Sequence, residues 1–226
     1  MCFCLTESAT QVAEQQQPVE RQKHLGTYQL DKGICLSISR GSILDFESSQ
    51  HGAIINAANE SLIAGGGVDG ALAKAGGTNL AKDRHNVPNS DGVRCKTGQA
   101  VLTGPGNYDM LKVPYVIHAV GPNYESCEGD FDEPNQLLKS AYRSSLECCR
   151  SNKEIKDIAF SLISSGIFRG KQSRRKILHL AVQSIRDWVS ESEDCGSIQT
   201  ITLFAYKIIE ADLLVDICNQ ELNPCT

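Results

Sequence analysis

IINAANESLIAGGGVDGALAKAGG, residues 54–77, decides how the chain reads. An apolar run ends in two asparagines three residues apart, Asn56 and Asn59. Gly65, Gly66 and Gly67 follow, and then Asp69 stands at the mouth of an alanine-rich stretch. Strand, glycine loop and helix in that order can build a phosphate cradle. Glycine lets a ligand approach the backbone and tolerates positive φ. The helix that follows presents free N–H groups and the positive end of its dipole. No GK[ST] follows, so this is not a Walker A loop. Glycines that only mark a tight turn remain the alternative.

On either side, strand-like and helix-like segments alternate. Strands are expected at 26–30, 34–38, 52–57, 99–103, 113–119, 157–163 and 198–204, short runs rich in Ile, Val and Leu between Gly, Pro, Asn or Asp. Helices are expected at 69–75, 78–85, 134–151, 173–190 and 208–220. Ile177, Ala181, Ile185 and Trp188 form one apolar stripe. Interleaved strands and helices imply α/β, a helix-covered and mainly parallel sheet in a single domain over 25–222. The polar, glutamine-rich stretch 1–24 has no periodic apolar face and reads as a disordered tail.

Ligands of such sheets collect at the carboxyl ends of the strands. A second loop there, SLISSGIFRG (161–170), again runs from an apolar strand through Ser and Gly. Two facing cradles suit a diphosphate. Asn56 and Asn59 carry amides that donate and accept, which suits sugar hydroxyls, or they satisfy turn backbone. Asp69 is a favoured helix N-cap residue or a carboxylate that activates water beside a diphosphate.

Composition narrows the class. The 226 residues are 41% hydrophobic and carry a net charge of -5, which argues against a protein that wraps nucleic acid. Ten cysteines are scattered with no CxxC pair. Cys35, Cys148 and Cys218 lie in apolar runs where a free thiol acts as a small core residue. No signal peptide or transmembrane run stands out, so a monomer with reduced thiols in the cytoplasm or nucleus, with no membrane partner, is expected.

Taken together, 54–77, TGQAVLTGPGNYDMLKVPYVIHAVGPNY (97–124), IAFSLISSGIF (158–168) and ITLF (201–204) resemble macrodomains, the ADP-ribose-binding modules. The resemblance spans roughly residues 26 to 220 in the right order. It implies a three-layer α/β/α sandwich, with ADP-ribose or an ADP-ribosylated protein as partner and no cofactor. By resemblance, Gly65, Gly66, Gly67 and Val68 face the diphosphate across from Ser164, Ser165, Gly166, Ile167 and Phe168. Asn56, Ala57 and Asn59 face the distal ribose, Phe168 packs along it, and Phe204 lies against adenine beside Ser42 and Ile43. Val-Asp-Gly after the glycines is similar to the hydrolase branch. Those enzymes remove ADP-ribose from acidic side chains or deacetylate O-acetyl-ADP-ribose, and Asp69 would be the catalytic carboxylate with Asn59 orienting the ribose.

Three positions depart from that pattern. Ser42 stands where the family often has an Asp that accepts from the adenine amine. A hydrogen bond to a charged group contributes about 1.5–3 kcal/mol, so affinity would fall roughly 10- to 100-fold. Ala73 stands where hydrolase relatives often carry His. Arg169-Gly170-Lys171 replaces a glycine, aromatic and proline, adding charge that continues into SRRK (173–176). That charge is either a solvated helix face or a contact for phosphate or acidic protein. His118 reads as a core or supporting histidine, and residues 71–77 offer no zinc ligands. The readings carried forward are a hydrolase using Asp69, a non-catalytic reader, and a domain whose pocket has drifted.

Overall fold

The computed structural model describes residues 22–63, 65–127 and 129–225. Most of the stretch read as a tail, 1–21, lies outside them. Its last residues do not fit that reading, because Lys23 and His24 belong to the first strand.

One eight-stranded sheet runs through the molecule. Its strands are β1 (Lys23–Gln29), β2 (Cys35–Arg40), β3 (Gly52–Ala58), β4 (Ala100–Thr103), β5 (Tyr115–Val120), β6 (Asp157–Ser161), β7 (Thr200–Ala205) and β8 (Asn223–Pro224). The order is β4-β5-β3-β6-β7-β2-β1-β8. From β5 to β2 all neighbours are parallel. β4, β1 and β8 pair antiparallel at the edges. Among the described residues, four α-helices cover the sheet: α1 (Gly67–Asn86), α2 (Asp132–Ser151), α3 (Arg174–Glu191) and α4 (Ile208–Glu221).

Strand periodicity sorts side chains onto two faces. Ile55, Ile117, Phe160, Leu203 and Ile38 join Leu138, Tyr142, Leu178, Trp188 and Leu214 of α2, α3 and α4 in the larger core. On the opposite face, Ile54, Val116, Ala159 and Phe204 pack with Leu72, Ala75 and Leu80 of α1. The result is the helix-covered, mainly parallel sheet expected from the alternation of segments, in the three-layer α/β/α sandwich that the resemblance implies. Cys149 and Cys218 are fully buried, whereas Cys35 and Cys148 are only half-buried.

The same periodicity puts two polar residues into the α1 face. Asn56 of β3 is the register partner of His118 of β5, one step beyond the paired Ile54 and Val116. Both are fully buried, so α1 must supply polar partners.

α1 does so by breaking. Gly77 has φ 57° and ψ −154°, which splits the element into two helical segments, as the separate segments 69–75 and 78–85 anticipate. The loop before β5 ties both halves: Met110 N–H donates to Ala75 C=O at 2.9 Å, and Asn79 Nδ2 donates to Asn107 C=O at 2.8 Å. In a straight helix, Asp69 and Arg84, 15 residues apart, would stand about 22 Å from each other. The break brings them into contact.

Gly77 is therefore a position where only glycine serves. Its dihedrals lie in a region almost closed to other residues, and a Cβ there would meet Asp109 Oδ2 at 1.6 Å. Gly77→Ala is expected to lower the urea unfolding free energy by at least about 2 kcal/mol. Thr78→Ala, at the exposed neighbouring position, should stay within about 0.5 kcal/mol of wild type.

Candidate functional site

Because the parallel strands all point one way, their carboxyl ends open onto one edge of the sheet. A cleft of about 690 Å³ lies there. It is lined by Gly41–Leu44 after β2, Ala57–Asn59 at the end of β3, Gly65–Asp69 and Ala71, Gly121 after β5, Ser161–Phe168 from the end of β6 onward, and Phe204 of β7 with Tyr206, Lys207 and Glu210 beyond it.

The first wall is the glycine loop. Gly66 caps α1 in extended conformation and offers no side-chain hydrogen bond to the first turn. Gly67 has φ +57°, and a Cβ on either Gly66 or Gly67 would meet only open space. Gly65 is under a different constraint, since a Cβ there would come within 2.1 Å of Asp69 Oδ2. One glycine makes room for a carboxylate and the next two leave the loop surface bare.

The second wall is 162–168. Ser164 has φ +55°, and its hydroxyl donates to Pro122 C=O at 2.8 Å. Gly121 lets the two approach, because a Cβ on it would lie 2.2 Å from Ser164 Oγ. Ser161 Oγ donates to Ile55 C=O and accepts from Ala57 N–H, at 2.8 and 2.9 Å, tying this wall to β3. Ile167 projects into solvent at the rim, 87% exposed.

Beneath the first wall lies a buried polar chain. Asn56 Nδ2 donates to Asp69 Oδ1 at 2.7 Å and to His118 Nδ1 at 3.2 Å. With Nδ1 accepting, the His118 proton sits on Nε2 and points to Thr103 Oγ1 at 3.2 Å, which in turn donates to Val116 C=O. Arg84 Nη2 donates to Asp69 Oδ1 at 2.8 Å, and its Nε donates to Leu62 C=O. Asp69 and Arg84 are 3% and 2% exposed. Asp69 Oδ2 and Asn56 Oδ1 accept no hydrogen bond from the described residues. Burial, with Arg84 nearby, lowers the pKa of His118 to about 3, so the ring is neutral.

These positions revise several assignments. Of the residues expected at the ligand, only Asn56 is absent from the cleft lining. Its strand phase turns it under α1, where it binds Asp69 and His118. Asp69 is not the N-cap of α1; Gly66 is. Asn59 does line the cleft, and its Oδ1 accepts from Ser61 N–H and Oγ at 3.1 and 2.7 Å. Ser42 also lines it while accepting from Leu44 N–H at 3.3 Å, and Phe204 packs edge-on against Phe46.

Arg169 and Lys171 do not line the cleft. Arg169 Nη1 donates to Gln172 C=O, and in SRRK Arg174 and Arg175 pair with Glu210 and Asp216 of α4. The cation at the cleft is Lys207, which the sequence reading missed along with Tyr206 and Glu210. The signal was available, because these residues follow the end of β7 just as 162–168 follow β6. Burial raises the pKa of Glu210. Among the described residues, no three His, Cys, Asp or Glu are grouped to hold a metal ion, and no helix is long and apolar enough to cross a membrane.

A family model described as Macro domain matches residues 55–176. A Macro domain-containing protein of Listeria monocytogenes is 34% identical over 187 residues, covering 83% of this chain and 98% of that protein. A Pantoea vagans protein named O-acetyl-ADP-ribose deacetylase 1 is 37% identical over 167 residues, 74% of this chain and 90% of the relative. Among solved structures, the Oceanobacillus iheyensis macrodomain with ADP is similar with TM-score 0.73 and 25% identity, covering 89% of this chain and 97% of that one. The Trypanosoma brucei macrodomain in complex with ADP-ribose gives TM-score 0.63 and 26% identity, covering 80% and 68%.

The buried histidine makes stability depend on acid. Above pH 6.5 His118 is neutral in both folded and unfolded chains. Between 6.5 and about 3 the unfolded chain binds a proton that the folded one refuses. Stability therefore falls on acidification through that window, with this one group contributing about 1.4 kcal/mol per pH unit. Urea unfolding of His118→Gln between pH 6 and 4 should show a slope shallower than wild type by about that amount.

Proposed function

The chain belongs to the Macro domain family, and from that premise we propose that its cleft binds ADP-ribose and hydrolyses an ester at the distal ribose. The ester is one that joins ADP-ribose to an acidic protein side chain or to acetate. The observation that carries the catalytic half is Asp69 itself. It stands at the cleft wall with Oδ1 held by Asn56 and Arg84 and Oδ2 without a hydrogen-bond donor among the described residues. The relative named as a deacetylase supports the same reading.

In this reading the diphosphate lies between the bare amides of Gly65–Val68 and those of Ser164–Phe168, where the first turn of α1 adds its dipole. Phe204 and Ile43 give adenine an apolar wall, with Ser42 as a neutral acceptor. Asn59 orients the distal ribose. Asp69 Oδ2 takes a proton from water as the water oxygen bonds to the acyl carbon. The acyl carbon–ribose oxygen bond then breaks, and that oxygen leaves with the proton Asp69 had taken, which restores the carboxylate. The products are a carboxylic acid and a free ribose hydroxyl.

A non-catalytic reader is the second reading, and the ion pair favours it: Arg84 offsets the charge of Asp69, and the carboxylate is almost wholly buried. Asp69→Asn separates the two. Alanine would leave Arg84 as a buried unpaired charge, which costs about 3–5 kcal/mol. Asparagine also removes the countercharge, but it keeps a hydrogen-bond acceptor at Oδ1 for Arg84 Nη2 and Asn56 Nδ2. Calorimetry should find ADP-ribose affinity within about threefold of wild type, and release of ADP-ribose from a glutamate-modified protein, or of acetate from O-acetyl-ADP-ribose, should slow at least about 100-fold. Binding without turnover in the wild type would establish the reader, and absence of binding would sink both readings.

Ser42→Asp tests the adenine end. Aspartate can accept from the base with charge and still cap Leu44 N–H. ADP-ribose affinity should rise by about tenfold or more in calorimetry.

A further inference from the structure

Leu62 and Asp69 stand on either side of the glycine loop, and one side chain holds both. Arg84 Nε donates to Leu62 C=O, and Nη2 donates to Asp69 Oδ1 at 2.8 Å. Leu62 is fully buried with φ +56°, a conformation a branched apolar residue keeps only when its surroundings impose it. Arg84 is 2% exposed and does not line the cleft. Its planar fork bonds in two directions at once, which a lysine ammonium on a flexible stem does not reproduce.

We propose that Arg84 is a positioning residue that fixes both ends of the glycine loop and so sets the direction in which its amides face the cleft. Gly66 and Gly67 have the backbone freedom to lose that direction, and Gly66, the N-cap of α1, has no side chain with which to cap the first turn. The clamp supplies order at the ends of the loop. The clamp crosses from the second helical segment of α1 to the first and to the end of the β3 loop, so the diphosphate wall depends on a residue outside it. The ligand arm of the test rests on the ADP-ribose reading; the loop arm does not.

Wild type, Arg84→Lys and Arg84→Met are compared in two measurements. In hydrogen exchange without ligand, amides of residues 62, 63 and 65–70 should exchange at least about tenfold faster in both variants, while those of β3 and β6 keep wild-type protection. In calorimetry, both variants should lose at least about tenfold in affinity for ADP-ribose. AMP, which lacks the second phosphate and the distal ribose, should change less than about threefold.

Unchanged loop exchange in a folded variant overturns the clamp. Wild-type behaviour of Arg84→Lys in both measurements also overturns it, since charge alone would then suffice. Equal losses for AMP and ADP-ribose overturn it as well, by pointing to general loosening. If Arg84→Met does not fold, Arg84→Lys, which keeps a cation beside Asp69, decides both arms. If wild type binds no ADP-ribose, the proposed function fails and the exchange arm alone decides the clamp.

Discussion

A buried ion pair between the two halves of one helix is the constraint on which this site depends. Bringing Asp69 and Arg84 out of water is costly, and a buried pair is weak evidence of added stability. What the pair does supply is geometry. Arg84 reaches Asp69 only because Gly77 breaks α1. The break needs a residue without Cβ, because the loop carrying Asp109 packs there. Asn56 then completes Oδ1, His118 completes Asn56, and Thr103 completes His118. Substituting any of these for an apolar residue strands a buried polar partner, so the chain behaves as one unit.

The pair also resolves an electrostatic conflict. A carboxylate beside a diphosphate would repel it, and the repulsion would be strong where water is excluded. Arg84 makes the local sum zero without placing a cation in the cleft. Lys207 is the one basic side chain among the described lining residues, so under the proposed function anion recognition would fall to backbone amides and the dipole of α1. That is how a chain with a net charge of -5 can hold a site suited to a doubly charged ligand.

Much of this architecture was legible in the sequence because its signals are local. Each expected strand and helix lies within a few residues of an observed one, and even the interruption of α1 at Gly76-Gly77 was visible as two separate segments. The short β8 was not, since Asn223–Pro224 is a strand only by pairing with β1. Asp69 was weighed as cap or catalyst because both roles can be read from a loop–helix junction. Its actual partner stands 15 residues away across a backbone break, and no periodicity marks a contact of that kind. Asn56 fails for the same reason: its alternation with Ile55 points it away from the main core, but only the placement of α1 closes the space above it. The charges at Arg169 and SRRK look available in sequence, yet α4 occupies both Arg174 and Arg175.

The two oxygens of Asp69 divide the labour between fold and chemistry. Oδ1 carries two hydrogen bonds and fixes the helix, the loop and the strand relative to one another. Oδ2 lies against Gly65, where any larger residue would displace it, and has no hydrogen bond to the described residues. A carboxylate anchored through one oxygen keeps the other in a set direction, which a solvated aspartate on a loop could not do without losing side-chain freedom at each turnover. The interactions that make Asp69 look structural are thus the ones that would let it act. Whether the cleft reads or cleaves its ligand turns on the single unengaged oxygen, since every other part of the site serves binding equally well in both cases.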